Sequence, residues 1–159
     1  MRSPGAVEMK FRIVVVGRTR HKALAEVTAE YEERAARYWP LEVMELRDES
    51  GRDAAEVKRR EGERMLQQLG GGGVVVCDER GASYDSETFA AWMQRQREAA
   101  RDVTFVIGGA FGLHESVLGA STEKLALAPW TLPHEVARLV LTEQLYRAGT
   151  IVRREPYHK

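Results

Sequence analysis

The sequence predicts an α/β domain, a mostly parallel sheet with helices on both faces. Three observations carry that expectation. Phe11–Val16, residues 74–78 and Val103–Ile107 are apolar almost throughout, the pattern of strands covered on both faces rather than on one. Charged segments with apolar residues at helical spacing lie between them, so strand and helix alternate along the chain. A length of 159 residues with 43% hydrophobic content suits one domain with a real core and excludes a multi-domain assembly.

The first run, closed by Gly17, is predicted to be a central strand. Leu24, Val27, Tyr31, Ala35 and Tyr38 recur along one face of a helix over 23–39, which Pro40 stops. A strand over Leu41–Leu46 follows, then a charged helix over 54–69 ended by the glycine run 70–73, then the strand 74–78. Gly81 is expected to begin a turn, and Ser86 and Glu87 to open a helix reaching residue 100. The fourth strand runs into Gly108 and Gly109, and a short helix is predicted over 115–119. Residues 124–128 read as a fifth strand, 129–133 as a rigid loop between two prolines, and His134–Val152 as the last helix. Ligands of such sheets bind beyond the carboxyl ends of the strands, which makes the loops after Val76 and Ile107 the first places to look. Residues 1–8 lack the apolar stretch of a secretory signal and read as a flexible extension ahead of a domain over 9–159, with Met9 an alternative start.

Lys and Arg total 24, as do Asp and Glu, so the chain carries no net charge. It cannot coat nucleic acid by bulk attraction, and any RNA contact has to be local. The single cysteine, Cys77, allows no internal disulfide, and no run approaches the roughly 18 apolar residues of a membrane span, which points to a reducing cytoplasm. Two tempting motifs fail. The glycine run 70–73 precedes a strand and lacks the lysine of a phosphate loop, so it reads as a helix stop. His134-Glu135-Val136-Ala137-Arg138 mimics a zinc helix but has Arg138 where the second ligand is needed; with His21, His114 and His158 scattered, no metal is expected.

Gly108-Gly109-Ala110-Phe111-Gly112 is either a tight structural turn or a place where backbone approaches a ligand closely. Pro129 and Pro133 frame Trp130-Thr131-Leu132, whose backbone groups cannot all pair with a sheet and would suit an adenine ring; the competing reading has Trp130 capping the core. His134 is placed to cap the last helix, with Arg138 one turn on along the same face. Arg147 lies roughly 900° further round, on the opposite face, and would serve another surface such as one across a dimer. Residues 136–141 are apolar nearly all round, which a homodimer interface explains most simply. The tail carries Arg153, Arg154, Tyr157, His158 and Lys159, either a solvated basic end or a patch able to stack on a base.

Taken in order, Phe105-Val106-Ile107-Gly108-Gly109-Ala110-Phe111-Gly112-Leu113, Thr131-Leu132-Pro133-His134, Glu143-Gln144-Leu145-Tyr146-Arg147-Ala148 and the closing Pro156-Tyr157-His158-Lys159 resemble the RlmH family. These are SPOUT-class methyltransferases that methylate N3 of a pseudouridine in 23S ribosomal RNA within assembled ribosomes. The likeness extends over residues 9–159. It implies a C-terminal trefoil knot that forms the cofactor pocket, S-adenosylmethionine as cofactor, and a homodimer. By the same resemblance Cys77, Gly108, Gly109, Leu127, Ala128, Pro129, Trp130, Thr131 and Leu132 hold the cofactor. His134, Arg138, Tyr157 and His158 are the catalytic candidates, and Arg147, Arg153, Arg154 and Lys159 meet the RNA. Two residues depart from the family pattern. Gly149 replaces a frequent aromatic and is expected to loosen packing beneath the tail, and Trp130 is bulkier than the usual aliphatic.

Methyl transfer from a sulfonium needs a nucleophile held in line, and N3 of a pseudouridine must first lose its proton. His134 or His158 is expected to take it, with Arg138, Arg147 or Lys159 stabilising charge on the ring oxygens. A neutral dimer recognises a shaped particle better than loose RNA, so activity is expected on ribosomes rather than fragments. Three rivals fit parts of the pattern. One is a SPOUT enzyme acting on another RNA such as transfer RNA. Another is a doubly wound oxidoreductase gripping a ribose with Asp48 or Glu49, which the missing glycine fingerprint disfavours. The last is a ribosome-binding factor without catalysis, which would keep the tail and not the pocket.

Overall fold

The computed structural model describes residues 9–158, so the expectations for residues 1–8 and for Lys159 lie outside the described residues. Five strands form one sheet in the order β2-β1-β4-β3-β5, with every neighbouring pair parallel: β1 (Phe11–Val16), β2 (Leu41–Leu46), β3 (Gly73–Ala82), β4 (Val103–Ile107) and β5 (Glu123–Leu125). The helices are α1 (Lys22–Ala36), α2 (Ala54–Gln68), α3 (Ser86–Glu98), α4 (Glu115–Ala120) and α5 (His134–Val152). Phe11, Ile13, Val15, Phe105 and Ile107 point to the face covered by α1, α3 and α5, and Val14, Val16, Val76 and Val106 to the face covered by α2 and α4. This is the α/β sheet with helices on both faces that the continuous apolar runs predict.

Local chemistry sets the helix starts. Asp53 opens α2 by accepting from the N–H groups of Ala55 and Glu56, and Asp85 opens α3 by accepting from Thr88. His21 and His114 do the same for α1 and α4 through ring nitrogens. α2 ends at Gln68 with Leu69 already extended, just ahead of the glycine run, and Gly72 has a packing reason to be glycine: a Cβ there would lie 2.2 Å from the Asp102 carbonyl oxygen at the start of β4.

Four expectations are corrected. β3 continues to Ala82 instead of ending at Asp78, because Cys77 and Ala82 both pair with Leu125 around a register shift; the charged stretch Asp78-Glu79-Arg80 hides this half from an apolar-run criterion. Gly81 therefore lies in the strand, and a Cβ on it would sit 2.5 Å from the Lys124 carbonyl. β5 is only Glu123–Leu125, so residues 126–128 belong to the loop that follows. The cap of α5 is Pro133, with no side-chain cap, and His134 is the first helical residue rather than the cap.

The apolar character of α5 also finds a different explanation. The helix is wedged between α1 and α3 over the sheet, and every residue from His134 to Val152 is buried or half-buried within the single chain. A subunit interface is not required to cover it.

Candidate functional site

The loops after β3, β4 and β5 converge at the carboxyl ends of the strands, against the first turn of α5. They enclose a cleft of about 480 Å³ walled by Cys77, Ile107, Gly108, Gly109, Leu132 and His134, within the range of small-molecule sites. A side pocket of about 60 Å³ continues from it between Cys77, Leu127, Ala128, Trp130 and Leu132. The two compartments bring together every residue expected to hold a cofactor except Pro129, which sits in the same loop.

The walls are made largely of backbone. A Cβ on Gly108 would stand 2.9 Å from the Leu113 side chain and 3.0 Å from the Gly112 carbonyl carbon. One on Gly109 would stand 2.8 Å from a Glu61 carboxyl oxygen. Gly112 has φ +85 and closes the loop by donating its N–H to the Gly109 carbonyl at 3.0 Å. The turn is thus tight and also lines the cleft, so both readings of the glycine loop hold. Across from it, no N–H or C=O group from 127 to 132 finds a hydrogen-bond partner among the described residues, as the proline frame predicts. Trp130 is 77% exposed. It stands at the rim of the side pocket and does not cap the core, which corrects that alternative.

Charge is sparse here. Burial pushes the Cys77 thiol up to about 12, so it stays a neutral part of the wall. Asp78 is paired with Arg80 at 2.7 Å, and that guanidinium holds its carboxyl below the usual range. His134 faces both the cleft and the turn after β1, where a Cβ on Gly17 would lie 3.6 Å from its Nε2. Glu135 fixes this corner by accepting from the N–H groups of Arg20 and of His21, the latter at 3.1 Å.

The other catalytic candidates lie elsewhere. Arg138 is buried and bridges Glu32 at 2.8 Å and Glu45 at 2.5 Å, tying α5 to α1 and β2. Tyr157 and His158 dock on the far side of α5. The Tyr157 hydroxyl donates to Glu143 at 3.0 Å and lies 3.4 Å from that of Tyr31, and its ring packs 4.6 Å from that of Tyr146. Burial, with these partners, holds the phenol well above its ordinary pKa. Arg147 binds Glu143 at 2.6 Å, covers the Tyr157 ring at 4.9 Å and reaches within 3.4 Å of His158 Nδ1. Arg153 lies over the Tyr38 ring at 4.7 Å, and Arg154 is exposed. From His134 to Arg147 the helix rises about 20 Å. One chain therefore gathers His134 with the cleft, and Tyr157 and His158 with Arg147, but does not bring the two groups together.

Gly149 does not loosen this region. A Cβ there would lie 2.4 Å from Tyr38 Cγ, so the Tyr38 ring already fills the space an aromatic at 149 would take. Sequence reading also missed Glu61, whose spacing from Val57 and Met65 puts a carboxyl in the buried stripe of α2; a charge on an apolar face was the available signal.

A family described as "Predicted SPOUT methyltransferase" matches residues 9–158. Ribosomal RNA large subunit methyltransferase H of Gemmatimonas aurantiaca is 55% identical over 154 residues, covering 95% of this chain and 100% of that protein. The protein of the same name from Anaeromyxobacter sp. strain Fw109-5 is 46% identical over 155 residues, covering 95% and 100%. Among solved structures, a probable methyltransferase from Bordetella pertussis Tohama I superposes with a TM-score of 0.55 at 13% identity, over 89% of this chain and 95% of that one, which speaks to the fold alone.

Proposed function

The chain belongs to the SPOUT methyltransferase family, and from that premise we propose that it transfers a methyl group from S-adenosylmethionine to N3 of a pseudouridine in 23S ribosomal RNA, in the assembled large subunit and as a homodimer. The observation that carries the reading is the cleft: glycine backbone on one side, an unpaired proline-framed loop on the other, and at their junction a small side pocket that Asp78 and Glu79 also line. Those features fit the cofactor. The cleft of about 480 Å³ has room for the donor, the exposed Trp130 at its side can stack on a flat base, free backbone groups at 127–132 can read the base edge and the ribose, and Gly108 and Gly109 leave room for the amino-acid end.

The bound cofactor supplies an electrophilic methyl on sulfur. The chain supplies position and a proton acceptor. His134 is the base candidate at the cleft, and a positioned base typically contributes roughly 10² to 10⁴ in rate. Tyr157, His158 and Arg147 form a polar patch on the outer side of α5, too far along the helix to act on the same cleft. In a homodimer packed through that side, the tail of one subunit serves the cleft of the other. The exposed Trp130 and the half-exposed Phe111 at the cleft mouth are the apolar surface such packing would use. Arg153, Arg154 and Lys159 are then available to the ribosomal backbone, in a protein whose site of action is the cytoplasm.

Labelled cofactor offered in parallel to purified ribosomes and total transfer RNA, followed by mass spectrometry of the RNA, tests the substrate. Label confined to a pseudouridine of 23S RNA is expected, and label in transfer RNA alone would overturn it. Mixing inactive H134A and H158A subunits tests the shared site: one intact cleft per mixed dimer restores about a quarter of full activity, whereas no recovery places both histidines in one subunit's site.

A further inference from the structure

We propose that Glu61 makes the cleft discriminate by charge, favouring the sulfonium form of the methyl donor over the neutral thioether left after transfer. The inference rests on the reading of the cleft as the S-adenosylmethionine site. It starts from an unusual placement: Glu61 is only 4% exposed, in the apolar stripe of α2. Its Oε2 accepts the Glu49 N–H at 3.1 Å, while Oε1 is buried with no partner among the described residues. Both oxygens press on the back of Gly109, at 2.8 and 3.3 Å from where a Cβ would stand. Gly109 has no side chain and its front lines the cleft, so a single layer of backbone separates the carboxyl from a bound ligand.

The neighbouring charges single Glu61 out. Asp48 has Arg20 at 3.1 Å and Glu49 has Arg64 at 2.5 Å, and within the cleft Asp78 has Arg80. Glu79 also lines the cleft, but it is exposed and screened by water. Among the described residues Glu61 has no salt-bridge partner; the Glu49 N–H that it accepts and, more weakly, His134 across the β1 turn lower the cost of its charge. Burial, and then the nearby Asp48 and Glu49, push its pKa up, as for a carboxylate whose counter-charge is missing. A sulfonium in the cleft provides that counter-charge. The donor and its demethylated product share every hydrogen-bonding group and differ by one methyl and one positive charge, so contacts alone separate them poorly. An unscreened field across one peptide layer separates them well.

Calorimetry on the whole protein with S-adenosylmethionine and with S-adenosylhomocysteine reads the effect without turnover. Glu61→Gln keeps the shape and removes the charge. It should weaken binding of the charged donor about tenfold relative to the neutral product, while Glu61→Asp keeps the ratio within about threefold of wild type. Asp48→Asn, which removes a charge that Arg20 already balances, leaves the ratio unchanged. Equal changes for both ligands in E61Q, no change for either, or the same loss in E61D as in E61Q would each overturn the proposal. Failure of the wild-type protein to bind either ligand would overturn the cofactor reading and this inference with it. Relieving a buried unpaired carboxyl does not threaten folding, and thermal melts of the variants check that.

Discussion

The cleft and the seat of the tail lie at different stations of α5 and are built from opposite materials. The cleft is backbone: Gly108, Gly109 and Gly112 on one side, the unpaired loop between Pro129 and Pro133 on the other. The tail seat is side chain: Tyr157 on Glu143, Arg147 across both, Tyr31 and Tyr146 around them. A site made of missing side chains is damaged by adding atoms, whereas one made of paired side chains is damaged by removing them. The two regions should therefore fail independently and under opposite kinds of substitution.

The largest effect expected is the one that would blur this separation. Arg138 holds α5 to α1 and β2 between the two regions, and Arg138→Ala leaves Glu32 and Glu45 without their cation. A broken buried pair costs about 3 to 5 kcal/mol, and the lower end applies because Glu45 stays half exposed. Denaturant unfolding should show a loss of about 3 kcal/mol. If R138A instead keeps wild-type stability and loses turnover, Arg138 is a catalytic group and not a tie.

Next comes Gly108→Ala, which acts on the cleft alone. The new Cβ meets the Gly112 backbone, which cannot turn aside as a flexible side chain would. Cofactor affinity should fall about a hundredfold, roughly 2.7 kcal/mol, with the tail seat intact as read by Tyr157 ring resonances. Unchanged affinity would mean that the loop gives way freely and is not a rigid wall.

The sequence disclosed the two regions unequally, for a physical reason. β1, β4 and the glycine and proline loops are legible because their signals are local: continuous apolar runs, glycine where a Cβ cannot fit, proline where the chain must leave the sheet. The second half of β3 was not legible, since its pairing across a register shift is decided by β5 and not by its own charged residues. Residue spacing on α5 correctly separated Arg138 from Arg147, but it could not show that α1 and α3 cover the helix, nor that Tyr38 fills the space beside Gly149. Those are tertiary facts between segments far apart in the chain. Only resemblance assigns the tail a catalytic role, and a single chain keeps Tyr157 and His158 apart from His134.

Two smaller effects sharpen the contrast on the tail side. Gly149→Ala drives a methyl into the Tyr38 ring. Overpacking costs about 1 to 3 kcal/mol, and the better helix propensity of alanine returns up to about 1, so a net loss of about 1 kcal/mol is expected in thermal melts, with cofactor affinity unchanged. Tyr157→Phe removes the hydroxyl donated to Glu143, which keeps Arg147 as partner and is not orphaned. The loss should be about 1 kcal/mol or less, again with no change in cofactor binding. A fall in affinity in either variant would show that the tail seat and the cleft of one chain are coupled.

The smallest effect belongs to Glu135, which supports the cleft from outside through hydrogen bonds to the loop after β1. The backbone N–H groups of His21 and Arg20 hold its carboxyl below the usual range. A carboxylate whose folded pKa is depressed contributes stability above its unfolded pKa of about 4.3, and that contribution is lost as the pH falls through the folded value. Asp78 and Asp85, also depressed, respectively by Arg80 and by the N–H of Thr88, share the same acid limb. The informative quantity is accordingly the difference between wild type and Glu135→Gln in melts from pH 7 to pH 3. The amide keeps an acceptor and has no titration, so E135Q should melt slightly lower near neutrality and converge with wild type as the acid limb is descended. A gap between the two that stays constant across that range would mean that the clamp is held by shape and that the charge of Glu135 contributes nothing to it.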